Sequence, residues 1–258
     1  MTPDTSPDTS PHSSPGSSPA PDQHVTVDVG DGAMPAQLFL PATGPGPGIV
    51  LFQEIFGVTA YIRSRARDLA DLGYAVLVPE SYWRQGSPVL GEGMAGVPDG
   101  IAALGRLDWD QTVGEGVAAV RALRARPEVG GPVAVMGFCL GGGLAWCTAA
   151  ALGRDGEQPD ALVAYYGSQV PDQVGLAGQI TCPQLQHWGD ADQFIPAEGV
   201  AAVESAVAAG PGDATFCRHE GAGHAFDNPS PSFHHATASR EAWATTSAWL
   251  LERLPVAR

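Results

Sequence analysis

Eleven residues constrain this chain more than any others: Val133-Ala134-Val135-Met136-Gly137-Phe138-Cys139-Leu140-Gly141-Gly142-Gly143. The β-branched apolar run predicts a buried strand, the G-x-C-x-G step a sharp turn, and the small residues after it the opening of a helix. Side chains two residues either side of the apex would collide with the turn, which is why Gly137 and Gly141 flank Cys139. Such a turn lifts the sulfur over the carboxyl end of a sheet, where a small molecule can reach it. Strand, turn and helix in this order imply a sheet with its chemistry at one edge.

The rest of the chain repeats that alternation. His24–Val29 and Ala36–Leu40, joined through Gly30-Asp31-Gly32, predict an opening hairpin. Strands follow over 48–52, 75–79, 132–136, 161–166, 183–188 and 214–218. Helices are expected over 61–72, with Arg63, Arg65 and Arg67 on its outer side, and over 110–126, from Leu140 to Leu152, over 197–208, and from about 233 to 254. Residues 85–107, rich in Gly and with two Pro, carry no readable period. The alternation predicts an α/β fold, a mostly parallel, doubly wound sheet with helices on both faces.

Residues 1–22 differ from everything after them. Fifteen of the 22 are Pro, Ser or Thr, a composition that cannot bury enough surface to offset ordering entropy. They are expected to form a disordered tail, leaving 23–258 as a single domain. The tail has neither a basic segment nor an apolar one, so it is not read as a signal peptide. Residues 129–153 contain no charge and are long enough to span a bilayer, but four glycines (137, 141, 142 and 143) break the stretch. Strand, turn and buried helix fit that pattern better than a membrane helix.

The chain carries 28 acids and 13 bases, a formal net charge of −15, and every base is Arg. Such a surface repels phosphate backbones and anionic lipid, so neither nucleic acid nor membrane is an expected partner. Cys139, Cys147, Cys182 and Cys217 show no C-x-x-C spacing. No metal site is therefore expected, and the last three are read as buried free thiols in a cytoplasmic protein.

Thiolate, not thiol, is the nucleophile. A helix amino terminus favours the anion by about 0.3–1 kcal/mol, and apolar burial opposes it, so Cys139 needs a base. His224, in Gly221-Ala222-Gly223-His224-Ala225-Phe226 just after the last strand, can swing over the sheet edge. Asp192, after the preceding strand, can orient the ring, with Asp190 as the alternative acid. His187 and His219, at strand ends, are weaker alternatives to His224. The N–H of Leu140, directly after the nucleophile, supplies one donor to an oxyanion hole.

At this point the chain resembles the dienelactone hydrolases, cysteine members of the α/β-hydrolase fold. The likeness runs from about residue 25 to 252. Four blocks carry it: Gln53-Glu54-Ile55-Phe56-Gly57-Val58, Gly137-Phe138-Cys139-Leu140-Gly141-Gly142, Asp192-Gln193-Phe194-Ile195-Pro196, and Gly221–Phe226. The resemblance implies that Cys139, Asp192 and His224 form a triad, and that the N–H of Ile55 is the second oxyanion donor. It also implies that Glu54 contacts the cysteine and helps govern its protonation.

One departure bears on substrate. The best-known members hold a substrate carboxylate with two arginines, and a hydroxyl-bearing residue follows their catalytic histidine. Here Asn228 stands four residues after His224, residues 94–104 hold no Arg, and Ala225 follows the histidine. Arg84 and Arg106 are nearby, but neither aligns. Tyr82, Trp83, Phe138 and Phe226, with Trp188 beside them, are expected to build an apolar pocket suited to a neutral ester or lactone, with Arg84 as a further substrate contact.

The resulting expectation is a cofactor-independent, carboxymethylenebutenolidase-like hydrolase of esters or lactones, a monomer or weak homo-oligomer. It works through a Cys-His-Asp triad and an acyl-thioester. An acyltransferase and a non-catalytic ligand-binding relative on the same fold are the alternatives.

Overall fold

The computed structural model describes residues 18–256. Eight strands form one sheet in the order β1-β2-β4-β3-β5-β6-β7-β8. They are β1 Gln23–Asp28, β2 Ala33–Phe39, β3 Gly46–Phe52, β4 Ala75–Pro79, β5 Val129–Phe138, β6 Leu162–Tyr165, β7 Gln184–Gly189 and β8 Ala214–His219. The hairpin β1–β2 is antiparallel and joins β4 antiparallel, and every later pairing is parallel. The helices are α1 Ala60–Asp71, α2 Val97–Leu104, α3 Trp109–Arg124, α4 Leu140–Arg154, α5 Ala197–Ala208 and α6 Ala236–Arg253.

The strand order explains where chemistry can occur. From β3 the chain crosses to β4 on one side, and from β5 it proceeds to β6 on the other. The carboxyl ends of β3 and β5 therefore lie side by side while the loops leaving them diverge, which opens a crevice. The loop after β3 carries Gln53–Gly57 and the turn after β5 carries Cys139.

Strands β3 and β4 are buried along their whole length, as a parallel sheet covered on both faces requires. The uncharged stretch around the elbow is β5 followed by α4, which is buried from Leu140 to Ala150 and packs against β5, α3 and β6. Among the described residues no helix is long and apolar enough to cross a membrane.

Two expectations change. Arg65 does not face outward: α1 turns it toward Asp227, which is fully buried, and the guanidinium lies 4.3 Å from the Trp243 ring. Its partner is 162 residues away, and helical period alone could not reveal it. Residues 85–107 contain a 3-10 turn at Met94–Gly96 that runs into α2, started by Pro98 in its first turn.

The tail expected over 1–22 falls largely outside the described residues. Its described end is tied to the domain. Asp22 accepts from the Leu40 N–H at 2.7 Å and from Arg67 at 2.8 Å, and Ser18 accepts from Arg63 at 2.8 Å.

Candidate active site

Cys139 sits between β5 and α4 with φ 54° and ψ −118°, a conformation that side-chain-bearing residues rarely adopt. Its surroundings hold it there. The Cys139 N–H donates to the Tyr165 carbonyl at 3.0 Å, and its own carbonyl accepts from Gly142, Gly143 and Ser168. A Cβ on Gly137 would strike the Gly141 carbonyl, and one on Gly141 would strike the carbonyls of Phe52 and Gln53. The elbow thus lies flat against the end of β3, which a larger residue would prevent.

The loops after β7 and β8 are held together by the same means. A Cβ on Gly189 would meet the Ala222 carbonyl, and that carbonyl accepts from the Ala191 N–H at 2.9 Å. This closeness brings Asp192 to His224. Asp192 Oδ2 lies 2.8 Å from His224 Nδ1, while Oδ1 accepts from the N–H groups of Phe194 and Ile195 at 2.8 and 2.9 Å. His224 Nε2 is 3.1 Å from Cys139 Sγ. Asp190, the alternative acid, instead lies 3.5 Å from Arg218.

Burial alone would disfavour an imidazolium at His224. The Cys139 sulfur and the Asp192 carboxylate overcome that penalty and raise His224 above the ordinary imidazole range. The arrangement can therefore hold a thiolate–imidazolium pair, with the proton on the nitrogen that faces sulfur.

The loop carrying His224 is anchored from below. Arg65 grips Asp227 through two hydrogen bonds of 2.8 and 2.6 Å, and Tyr61 and Ser239 add hydroxyl donors at 2.5 and 2.7 Å. Every charge and lone pair of this buried carboxylate has a partner, which is what makes burying it tolerable. Ala225, with φ 57°, lies between the anchor and the histidine.

Glu54 is buried and lines the same cavity as Cys139, yet no hydrogen bond joins the two. Its Oε2 accepts from Asn228 Nδ2 at 2.6 Å, and its Oε1 has no partner. Burial raises the Glu54 carboxyl to about 8, with the Asn228 bond pulling the other way. At neutral pH it is mostly an uncharged acid. The hydrogen bond that Glu54 makes runs to Asn228, which stands four residues after His224. Beyond His224, Ser168 Oγ also lies 3.9 Å from the sulfur.

The cavity in front of Cys139 has a volume of about 540 Å³. Ile55, Phe56, Val97, Ile101, Leu104 and Phe233 form an apolar wall, and the loop and helix start from Phe194 to Gly199 form another. Tyr82, Trp83, Arg84, Phe138 and Phe226, expected at the substrate, do not line it. Tyr82, Phe138 and Phe226 are buried in the core; Phe138 stacks on Tyr165 at 4.6 Å, and Phe226 meets Tyr166 at 5.1 Å. Arg84 is held by Asp31 and Glu115 and covers the Trp83 ring at 4.3 Å. Trp188 is likewise buried away from the cavity. Apolar aromatics on strand ends read alike whether they face a core or a ligand, and here the core claims them.

Of the expected oxyanion donors, Leu140 follows Cys139 directly and Ile55 lines the same cavity. Leu140 is the first residue of α4, so its N–H has no partner within the helix, and the Ile55 N–H finds no acceptor among the described residues. Ser168, Gln169 and the 3-10 segment Pro171–Gln179 were not singled out from sequence, and Asn228 was noted only as the place of a lacking arginine. A raised density of strained positions marks this region: Tyr166 and Gln169 have φ of 36° and 65°.

Comparison with known proteins is consistent with this geometry. Residues 34–254 match the model of the dienelactone hydrolase family. The chain is 34% identical over 201 residues to a carboxymethylenebutenolidase of Pseudomonas putida, covering 77% of this chain and 83% of that protein. It is also 34% identical over 231 residues to the carboxymethylenebutenolidase of Pseudomonas sp. strain P51, covering 88% and 93%. Among solved structures, a dienelactone hydrolase-like promiscuous phosphotriesterase from metagenomic libraries superposes with a TM-score of 0.74 at 28% identity, covering 90% of this chain and 98% of that one.

Proposed function

This chain belongs to the dienelactone hydrolase family and is a hydrolase of carboxylic esters or lactones, and from that premise we propose that it acts through Cys139, His224 and Asp192. The observation that carries the mechanism is the unbroken chain Asp192–His224–Cys139, with links of 2.8 and 3.1 Å, opening on a mostly apolar cavity.

In the proposed cycle the Cys139 thiolate attacks the substrate carbonyl carbon. The carbonyl π electrons move onto oxygen, where the N–H groups of Leu140 and Ile55 receive the charge. The tetrahedral intermediate collapses, the carbon–oxygen bond to the alcohol breaks, and the His224 imidazolium gives its proton to the departing oxygen. A thioester to Cys139 remains; in a lactone the released alcohol stays attached to the acyl chain. Neutral His224 then takes a proton from water, the hydroxide attacks the thioester, and the acid leaves as the thiolate–imidazolium pair is restored. Asp192 keeps the ring in the tautomer and orientation that both halves need.

Glu54, held by Asn228 and mostly uncharged at neutral pH, adds little repulsion to the thiolate in this scheme. The substrate is expected to lack a free carboxylate, because no arginine lines the cavity and the chain has no lysine. A second reading, hydrolysis of neutral phosphotriesters, draws on the same arginine-free cavity and on the similarity to the phosphotriesterase described above.

The test is a panel of p-nitrophenyl acetate, a neutral aryl lactone, a carboxylated dienelactone and a p-nitrophenyl phosphotriester, with Cys139→Ala as the control. Turnover of the neutral carboxylic esters, lost in the variant, is the expected result. Preference for the carboxylated lactone would sink the substrate assignment, and Cys139→Ala retaining more than about a tenth of the activity would sink the mechanism.

A further inference from the structure

The residues lining the catalytic cavity fall into two groups of different chemistry. The first is apolar. Val97, Ile101 and Leu104, four and then three residues apart, form one stripe along α2, while Gly100 and Ala103 are buried. The Ile55 side chain joins that stripe so closely that a Cβ on Gly100 would stand 2.8 Å from Ile55 Cδ1. Phe56 and Phe233, their ring centres 6.2 Å apart, extend the same apolar surface. The second group is polar: Ser168, Gln169, Asp172 of the 3-10 segment Pro171–Gln179, and Glu198 at the start of α5. An aliphatic chain entering this cavity is therefore matched by the α2 stripe and not by the second wall.

The apolar surface is unfinished at its outer edge. Five large apolar side chains are exposed among the described residues, and two of them, Ile101 and Phe194, line this one cavity at 55% exposure each. A third, Met94, lies just ahead of α2 and is 53% exposed. Exposed apolar surface concentrated at a concave site marks a place where an apolar ligand takes the place of water.

Ile55 joins this surface to the chemistry. Its N–H is an oxyanion donor in the mechanism proposed above, so the substrate carbonyl sits beside it, and its side chain leads onto α2. A chain attached to the carbonyl carbon thus continues along the stripe. The alcohol half departs elsewhere, because its oxygen takes the proton of His224, whose ring meets Phe194 edge-on at 5.3 Å. From Val97 to Leu104 the stripe runs about 10 Å along the helix axis, the length of an extended chain of about eight carbons. We propose, resting on that hydrolase reading, that the enzyme grips aliphatic esters by the acyl half. It prefers straight acyl chains of about six to eight carbons over acetyl, with Val97, Ile101 and Leu104 setting the preference. The acyl chain remains on Cys139 in the thioester, so the same contacts hold it through both halves of the cycle.

The test measures kcat/KM for the p-nitrophenyl esters of acetate, butyrate, hexanoate and octanoate, each below the concentration at which it aggregates. The value should rise about two- to fourfold for each added methylene and level off near octanoate. In Ile101→Ser the hexanoate-to-acetate ratio should fall by about threefold or more. Because that ratio is taken within each protein, a general loss of activity in the variant cancels. An isomer pair on the unaltered protein needs no variant: ethyl hexanoate and hexyl acetate have the same composition, and the first should be preferred by about fivefold or more. A series that is flat or falls with length, an isomer ratio of one or less, or a hexanoate-to-acetate ratio unchanged in Ile101→Ser overturns the inference and leaves the hydrolase reading intact. No turnover of any of these esters overturns both.

Discussion

His187, buried, and His224, part-buried at the cavity, both lie near the carboxyl edge of the sheet, and their surroundings push them in opposite directions. His224 lies between the Asp192 carboxylate and the Cys139 sulfur, and these raise it despite burial. His187, within β7, contacts only neutral groups: His219 at 3.0 Å and Thr246 at 2.9 Å, with Tyr165 bonded to the same Thr246 at 2.6 Å. Burial, reinforced by His219, drives His187 down to about 3. Burial works against the charged form of both rings, so the charge of the partner decides which imidazole can move a proton near neutral pH.

The largest expected effect breaks the charged side of this comparison. Cys139→Ala removes the sulfur, and kcat/KM on a neutral ester should fall by at least about a thousandfold. Asp192→Asn leaves the sulfur but removes the carboxylate that fixes and supports His224. A loss of about a hundred- to ten-thousandfold is expected in kcat, with KM changed far less.

On the neutral side the loss should appear in stability instead. His187→Ala should cost about 2–4 kcal/mol in denaturant unfolding, because it empties a buried site and strands Thr246 and His219. The same histidine makes the fold acid-sensitive. Its folded value is depressed, so its contribution is complete above about 6.5 and is lost as pH falls from there through about 3. In His187→Gln that part of the pH dependence of stability should disappear, and an unchanged profile would show that other groups dominate.

The smallest effect sharpens the picture of Glu54. Since Glu54 is mostly uncharged below about 8, Glu54→Gln should stay within about threefold of the unaltered kcat/KM at neutral pH. The two pH profiles should separate only as pH rises past 8. A hundredfold loss at neutral pH would mean that the carboxyl handles a proton in the cycle.

How far the sequence reaches depends on how local the signal is. The strand over 75–79 and the helix over 197–208 are found where their patterns place them, and the elbow is encoded within eleven consecutive residues. Cys139, Asp192 and His224 lie in short loops at strand ends, and the sheet order brings those ends together. What pattern reading missed is long-range. Arg65 turns inward for Asp227, and Glu54 bonds Asn228, 174 residues away. The cavity walls proved least legible, because α2 grows from a Gly-rich stretch without period and the second wall is a 3-10 segment. The aromatics near strand ends carried no mark of which side they would face.

Gly141 presses directly on the last carbonyls of β3 and its loop, so the turn bearing Leu140 and the loop bearing Ile55 share one backbone-to-backbone seam. In the proposed mechanism, that seam helps to fix the spacing between the two N–H donors. The 3-10 segment, which shapes one side of the cavity, lies outside that seam, while α2 touches it through Gly100 against the Ile55 side chain. Substitutions on the 3-10 segment can therefore recut the cavity for new esters with the proposed charge-receiving frame still in register, whereas bulk added at Gly100 would push on Ile55.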